Sequence, residues 1–359
     1  MPSRRRFSGA LALMAVTWSS SLCTAQIDVR LSIKYILDAN GNRPTGFYAT
    51  EQNIRDVIDA SNRAMERWGR GYRWVIDGPI GEVSEATAPG SSQFFELTGG
   101  VTNWDLEDAA EANPGGYLWR YDAVNVYIVN CCAAAGTIAS NPQDAGYRIV
   151  FFSANVNGSD PDARQIIWTH ELGHYFDLYH PWGEDYVADT RVDANPNQCI
   201  GAFSCTPGGS DECCCSQKVV NLTNKAAAEG WTQQEFEDIR YNVMGYNGAT
   251  DCVALGEDMI TIDNMRLTHG QLDRWTNSTR RYRSSDVSGL TFFVDWRNTT
   301  SPFNGYSTDP YQAIADGIAA ANPGGGDIVL ARSGFYPENL MVTKRVTLRA
   351  NQGSVFVGD

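Results

Sequence analysis

Basic residues are scarce in this sequence. Its 28 lysines and arginines face 42 aspartates and glutamates, which leaves a formal net charge of −14. A nucleic-acid-binding protein replaces the counterions around the phosphates with lysine and arginine, so nucleic acid is not an expected partner. Histidine is scarcer still, at four residues. Hydrophobic residues, at 43%, are nevertheless numerous enough to exclude a disordered chain.

Long apolar runs are also lacking, and the one near the N-terminus covers only residues 9–18. It is too short to cross a bilayer, so no membrane span is expected. Arginines at positions 4–6 precede it and a small-residue stretch ending in Ala25 follows it, which is typical of a secretory signal peptide. We therefore expect residues 1–25 to be removed and the protein to be secreted. The arginines also resemble a twin-arginine export signal, and Leu22 before Cys23 argues against a lipoprotein.

Eight cysteines remain after this cleavage, and an even number in an oxidising compartment predicts disulfide bonds. They are Cys131, Cys132, Cys199, Cys205, Cys213, Cys214, Cys215 and Cys252. The adjacent cysteines leave the pairing open. The run of three at 213–215 leaves metal binding as an alternative, but no histidine joins these thiols at the spacing of a zinc finger.

The length of the chain, 359 residues, predicts one large domain and a smaller second one. Strand and helix patterns alternate up to about residue 180, which indicates an α/β layer. Strands are predicted at 29–37, 72–76, 124–129 and 149–152. A helix is predicted to begin after Thr50, which can cap it. Residues 181–255 are rich in cysteine, glycine and acidic residues, and predict an irregular, disulfide-rich subdomain.

The last part of the chain has a different pattern. Residues 276–289 are polar and turn-rich, and 285–309 are predicted to be a linker between the large domain at 26–284 and a small one at 310–359. The small domain is predicted to contain a helix at 310–321 and short strands at 327–330, 339–342 and 346–348.

Three of the four histidines lie within one segment, H-E-L-G-H-Y-F-D-L-Y-H, at positions 170–180. On a helix, His170 and His174 share one face and can bind one metal ion. If the helix ends near Asp177, the chain can turn and bring His180 back as a third ligand. Three neutral imidazoles leave a fourth position open, as in catalytic zinc sites, and Glu171 can act as the general base toward an activated water. The alternative, an ordinary helix with buried histidines, rarely shows this spacing.

This segment resembles the extended zinc motif of the metzincin metalloproteases, and within them the pappalysin-like (cytophagalysin) family. Three later stretches agree with that family in order and spacing: D-Y-V-A-D-T at 185–190, N-V-M-G-Y at 242–246 and T-H-G-Q-L-D-R at 268–274. They resemble its acidic segment, its Met-turn and its closing helix signature. The resemblance covers about residues 28–280. It implies a catalytic domain with a mixed twisted sheet, an active-site helix and an irregular lower subdomain.

The resemblance also implies the roles of individual residues. His170, His174 and His180 correspond to the zinc ligands, Glu171 to the general base and Met244 to the apolar floor beneath the metal. Tyr246 corresponds to a hydrogen-bond donor for the oxyanion. The implied activity is that of a secreted zinc endopeptidase, whose protein or peptide substrate binds as an extended strand along a sheet edge.

The sequence departs from the family pattern at three positions. Asp177 stands where the family has glycine, Arg191 where it has proline and Trp275 where it has methionine. The turn at Asp177 is expected to need a positive φ, which aspartate tolerates better than most residues. The fourth histidine, His269, falls at a variable family position and is expected to be structural.

Acidic residues after the third histidine also invite a calcium interpretation, because hard oxygen ligands are clustered there. They are Glu184, Asp185, Asp189 and Asp193. A solvated acidic loop is the commoner explanation, and no spacing in this segment resembles an EF-hand loop.

Residues 310–359 resemble the start of a right-handed parallel β-helix of the pectate-lyase type, and an incomplete one. Such solenoids often bind or cleave polysaccharide. The alternative function is therefore a carbohydrate-directed or adhesion protein in which this segment has the main role. No pair of carboxylates here has a catalytic spacing, which favours a binding or structural appendage.

Overall fold

In a computed structural model the chain is described at residues 26–130, 137–139, 142–143, 148–154, 161–182, 185–193, 212–245 and 260–358. Only the backbone is described at 137–139, 151, 161–165 and 212–220. These residues form two compact units, Gln26–Leu290 and a second that begins at Thr291. Among them, no helix combines the length and the apolar character that crossing a membrane requires.

The first unit is built on a mixed sheet. Its strands are β1 (Ile27–Ile36), β2 (Tyr72–Ile76), β3 (Gly81–Val83), β4 (Val124–Val129), β5 (Thr137–Ala139) and β6 (Ile149–Ser153). Their order is β2-β1-β4-β6-β5, with β3 also paired to β1. All these pairs are parallel except β5 with β6. The α/β prediction is confirmed, and β4, buried at every position, lies at the centre as its continuous apolar run indicates.

Two helices flank the early strands. Helix α1 (Glu51–Trp68) begins as predicted after Thr50, whose side chain accepts a hydrogen bond from the Asn53 amide, and it ends at Gly69 with φ 72°. Helix α2 (Asn103–Ala112), which the sequence analysis did not predict, begins with a capping box between Thr102 and Asp105. Its buried residues join a core with strands β1 and β4.

The prediction of an irregular region at 181–255 is wrong for part of that segment. After α3 (Pro161–Tyr175), helices α4 (Glu212–Glu229) and α5 (Gln233–Arg240) follow within it. Helix α5 is short and its only apolar residues are Phe236 and Ile239, which is too few to predict a helix from periodicity. Its start is set instead by a capping box between Thr232 and Glu235.

The turn prediction for residues 276–289 is also wrong in its first half. Helix α6 (His269–Tyr282) continues through Thr276 and Thr279, whose hydroxyl groups donate to the carbonyl oxygens of Leu272 and Trp275 at 2.8 and 2.9 Å. These bonds to the preceding turn let polar side chains lie buried inside a helix.

The predicted disulfides and the subdomain they would hold lie outside what can be described. Five of the eight cysteines, at positions 131, 132, 199, 205 and 252, are not among the described residues. The other three lie in α4, where only the backbone is described. Their pairing stays a prediction.

The second unit is a small parallel sheet with one helix against it. Strands β7 (Thr291–Val294), β8 (Ile328–Tyr336) and β9 (Thr347–Val357) pair in that order. Helix α7 (Ile314–Ala320) packs on β7 and β8. Strand β7 lies inside the range predicted as a linker. The strand predicted at 339–342 is wrong, and its apolar residues include the exposed Met341 and Val342. That this unit is the start of a parallel β-helix, and that it contacts polysaccharide, stay predictions.

Candidate metal centre

Helix α3 carries His170 and His174 one turn apart on a buried face. The helix ends in a tight reversal: the amide of Leu178 donates to the carbonyl of Gly173 at 2.9 Å, and that of Asp177 to His174 at 2.9 Å. Asp177 adopts the left-handed conformation, with φ 74°. This is the geometry of a Schellman motif, in which glycine is the usual residue at the position of Asp177. The reversal redirects the chain toward His180.

The three histidines meet through their Nε2 atoms. The distances are 3.1 Å from His174 to His170, 3.1 Å from His174 to His180 and 3.2 Å from His180 to His170. Three nitrogens bound to one zinc ion at about 2.0–2.1 Å in tetrahedral geometry would lie about 3.3 Å apart. The near-equilateral triangle of Nε2 atoms therefore fits a metal ion. Among the described residues, this is the cluster of side chains able to bind one.

In His170 and His174, the hydrogen bond made by Nδ1 fixes the tautomer of the ring. Nδ1 of His170 lies 2.8 Å from the carbonyl oxygen of Val243, and Nδ1 of His174 lies 2.7 Å from that of Leu178. A carbonyl oxygen only accepts, so each Nδ1 carries the proton and each Nε2 has a lone pair. The 3.1 Å contact between these two Nε2 atoms thus joins two lone pairs and is not a hydrogen bond. A metal ion between the two Nε2 atoms would accept both lone pairs and remove the repulsion between them.

Burial keeps the imidazoles in the form that binds metal. Desolvation lowers the pKa of His170 to about 4 and that of His174 to about 3, and it also lowers the pKa of His180. Because the neutral imidazole is the ligand form, the cluster does not have to lose protons to bind a metal ion at neutral pH.

The predicted Met-turn residue lies against the same helix. Met244 is fully buried, and a Cβ atom placed on Gly173 of α3 would be 2.5 Å from its Sδ atom. The Met244 amide donates to Oδ1 of Asn242 at 3.0 Å, and the side chain of Asn242 donates to Oε1 of Gln271 in α6 at 2.9 Å. The segment that supplies the Val243 carbonyl to His170 is thus held between α3 and α6.

The remaining predicted site residues have different positions. Glu171 follows His170 in α3 and is buried. Tyr246 and Glu184 lie outside the described residues. His269 is the first residue of α6 and is not part of the histidine cluster.

One residue of the acidic segment, Asp189, contacts the start of α6. The carboxylate of Asp189 accepts hydrogen bonds from the Thr268 hydroxyl at 2.9 Å and the Gly270 amide at 2.8 Å. An acidic side chain at the start of a helix stabilises it through its exposed amides and dipole. Both oxygens of Asp189 are therefore used by the protein itself, and they give the calcium prediction no support.

Two residues to which the sequence analysis gave no role contact the segment 177–180, which carries the turn and the third histidine. The indole ring of Trp182 is stacked on the imidazole of His180, with centroids 4.1 Å apart and an interplanar angle of 14°. Arg274 of α6 contacts the turn at Asp177. Arg274 is part of the quoted T-H-G-Q-L-D-R stretch, but its partner lies 97 positions away, and no local pattern indicates that pairing.

No protein-family model matches the chain, and no curated protein does. The solved structures that are similar to it include two of mirolysin. Mature mirolysin of Tannerella forsythia in complex with a cleaved peptide has 14% identity and a TM-score of 0.37, over 70% of this chain and 91% of that one. Mirolysin in complex with compound 9 has 15% identity and a TM-score of 0.37, over 72% and 96%. These scores are too low to bear on function, and the proposal below rests on the histidine geometry.

Proposed function

We propose that this chain is a secreted zinc-dependent endopeptidase of the metzincin type, related to the pappalysin-like family. The observation that supports the proposal is the triangle of Nε2 atoms, 3.1–3.2 Å on each side, in which two nitrogens have their lone pairs directed by Nδ1 hydrogen bonds. A three-histidine donor set leaves a coordination position for a water or substrate oxygen.

Zinc, when bound, polarises a carbonyl group and makes a water acidic enough to react at neutral pH. Glu171 accepts the proton of that water and delivers it to the departing amine. His170, His174 and His180 bind the metal, and the Val243 and Leu178 carbonyls keep the first two rings in the correct orientation. Tyr246, in the role that the resemblance implies, would donate a hydrogen bond to the substrate oxygen on which negative charge develops.

The proposed substrate is a protein or peptide in extended form. Among the described strands, β5 lies at one edge of the sheet and is antiparallel to β6. An edge strand has free backbone donors and acceptors on one side, so a substrate strand can pair with it irrespective of sequence. We place the substrate backbone along β5, with side-chain pockets deciding which bond is cleaved.

Metal analysis and a peptidase assay on two variants test the proposal. Purified protein should contain one zinc per chain and cleave a peptide library until a strong chelator removes the metal. Glu171→Gln should keep the zinc and lose about 10²–10⁴-fold in turnover, because only the proton transfer is removed. His174→Ala should lose both. Wild-type turnover in Glu171→Gln, or a chain without zinc, would contradict the proposal.

A further inference from the structure

Asp177 lies at the turn between the second and third histidines, and Arg274 of α6 holds it in two places. The guanidinium Nε donates to the Asp177 carbonyl oxygen at 2.6 Å, and Nη2 pairs with the carboxylate Oδ2 at 2.8 Å. The side-chain amide of Gln143 donates to the same Oδ2 at 2.6 Å. A fork that contacts both the backbone and the side chain of one residue fixes the position and the rotation of that residue.

Arg274 is itself confined. Its guanidinium carbon lies 4.9 Å from the ring centroid of Tyr179 and 5.1 Å from that of Tyr186, and these two rings pack edge to face. The Asp177 carboxylate is buried, at 2% exposure for the residue. A buried charge-assisted pair loses its geometry less readily than an exposed one, because each partner left alone would be a desolvated charge.

The turn controls atoms on both sides of it. Leu178, the next residue, supplies the carbonyl that orients the His174 ring. His180 follows two residues later and reaches the cluster only because the chain reverses at Asp177. His170, by contrast, is oriented by the carbonyl of Val243, from a separate segment.

We infer that Asp177 and Arg274 form a positioning pair that places His180, the third metal ligand, and thereby sets the affinity of the site for its metal. The inference rests on the proposed function, since it concerns the same metal. The pair belongs to this chain in particular, because the family pattern has glycine at this position and glycine has no carboxylate to offer Arg274.

The test is the zinc dissociation constant, measured by competition with a chromophoric chelator, together with the visible spectrum of the cobalt-substituted protein. Asp177→Asn keeps the size of the side chain and its tolerance of positive φ but removes the charge. Asp177→Gly removes the side chain and leaves the turn free of strain. Both should bind zinc about 10–100-fold more weakly and show an altered cobalt spectrum, as expected when an outer contact that orients a ligand is lost.

Asp273→Asn is the matched control. Asp273 neighbours Arg274 in α6 and forms its ion pair with the buried Arg70, away from the ligand turn. Its loss should lower the stability of the fold and leave the zinc dissociation constant within about 2-fold. Equal weakening in Asp273→Asn and Asp177→Asn would overturn the inference, because the effect would then belong to the general stability of α6.

A double-mutant cycle with His180→Ala decides whether Asp177 acts through the third ligand. In the His180→Ala background the effect of Asp177→Asn should fall to about 3-fold or less, the remainder acting through the Leu178 carbonyl. An undiminished effect, or unchanged zinc affinity in both Asp177 variants, would overturn the inference. A wild-type chain that binds no zinc would instead refute the proposed function, so the two failures are distinguishable.

Discussion

Gly173 lets helix α3, which carries His170 and His174, approach Met244 closely. Its φ is an ordinary helical one, so the need for glycine is a matter of space: a Cβ atom would lie 2.5 Å from Sδ and 3.2 Å from Cε of Met244. Glycine in a helix interior costs about 1 kcal/mol relative to alanine. That cost is offset here by the close approach of Met244 to the turn between His170 and His174.

Gly173→Ala should therefore destabilise the protein although alanine is the better helix former. The overpacking cost of about 1–3 kcal/mol exceeds the gain in helix propensity. We expect a lower midpoint of denaturant unfolding and lower peptidase activity. Gly115→Ala is the control, since a Cβ atom there meets nothing within 4 Å. Relief of the Gly173→Ala defect by Met244→Ala would identify the contact, and equal effects of the two glycine substitutions would exclude it.

Glu107 of α2 should make stability depend on pH. Burial raises the pKa of its carboxyl group to about 7, from 4.5. The folded state thus binds the proton more tightly than the unfolded state, and stability falls as the pH rises from about 4.5 through 7. Glu107→Gln should remove this slope and be more stable than wild type by about 1–2 kcal/mol at pH 8. Unfolding measured at pH 5, 6, 7 and 8 checks this, with Glu66→Gln, on the exposed face of α1, as control.

Among the elements, the strands β1, β2, β4 and β6 of the first unit are the most predictable. β2 and β4 occur at the predicted residues, because a short run of β-branched and aromatic residues predicts a buried strand from the segment alone. Helices α2 and α5 are short and begin at capping boxes, and a run of 8–10 residues is too short for apolar periodicity to predict a helix. The same division holds at the site. The spacing of histidines predicted three residues that meet, whereas the contact of Arg274 with Asp177 joins distant segments and has no local signal.

Helix α6 contacts three of the segments around the histidine cluster. Gln271 near its start bonds Asn242 of the Met-turn, Arg274 holds the Asp177 turn, and Arg283 at its C-terminal end donates Nε to the Tyr175 carbonyl at 3.2 Å. Two of these contacts bring a guanidinium to carbonyl oxygens at the C-terminal end of α3, where positive charge suits the helix dipole.

The start of α6 should be more sensitive to substitution than the start of α1. The hydroxyl oxygen of Thr268 accepts from the Gln271 amide at 3.2 Å and the hydroxyl donates to Asp189, whereas Thr50 makes one cap bond of 3.4 Å. Thr268→Ala should lower the free energy of unfolding by about 1–2 kcal/mol and weaken zinc binding. Thr50→Ala should lower the free energy of unfolding by less and leave the affinity for zinc unchanged. Comparable losses in the two variants would show that the cap geometry does not decide the cost.

At the scale of the whole molecule, each unit has an apolar core of its own. The first includes Ile36, Leu106 and Tyr127, and the second includes Val294, Ile318 and Val329. A unit whose apolar residues are buried within itself does not need another to fold. The two units are therefore expected to be separable in stability.

A chain of residues 26–290 should accordingly fold, bind one zinc and retain peptidase activity. All three histidines, Met244 and α6 belong to that unit. Zinc content, circular dichroism and turnover of the truncated protein, compared with those of the 26–359 form, check the prediction. A truncated chain that is unfolded or metal-free would show that residues beyond 290 are required for the first unit to fold and bind zinc.

The close approach of Trp296 to Gly334 has an optical consequence. Trp296 is the only tryptophan in residues 291–359, it is 47% exposed, and a Cβ atom on Gly334 of β8 would collide with its indole Nε1. Trp74, Trp168 and Trp275, by contrast, are buried among other aromatic rings. The difference between the fluorescence spectra of the wild type and a Trp296→Phe variant is therefore the emission of Trp296 alone. Its wavelength reports whether the small parallel sheet is assembled. The emission of the buried tryptophans reports on the first unit.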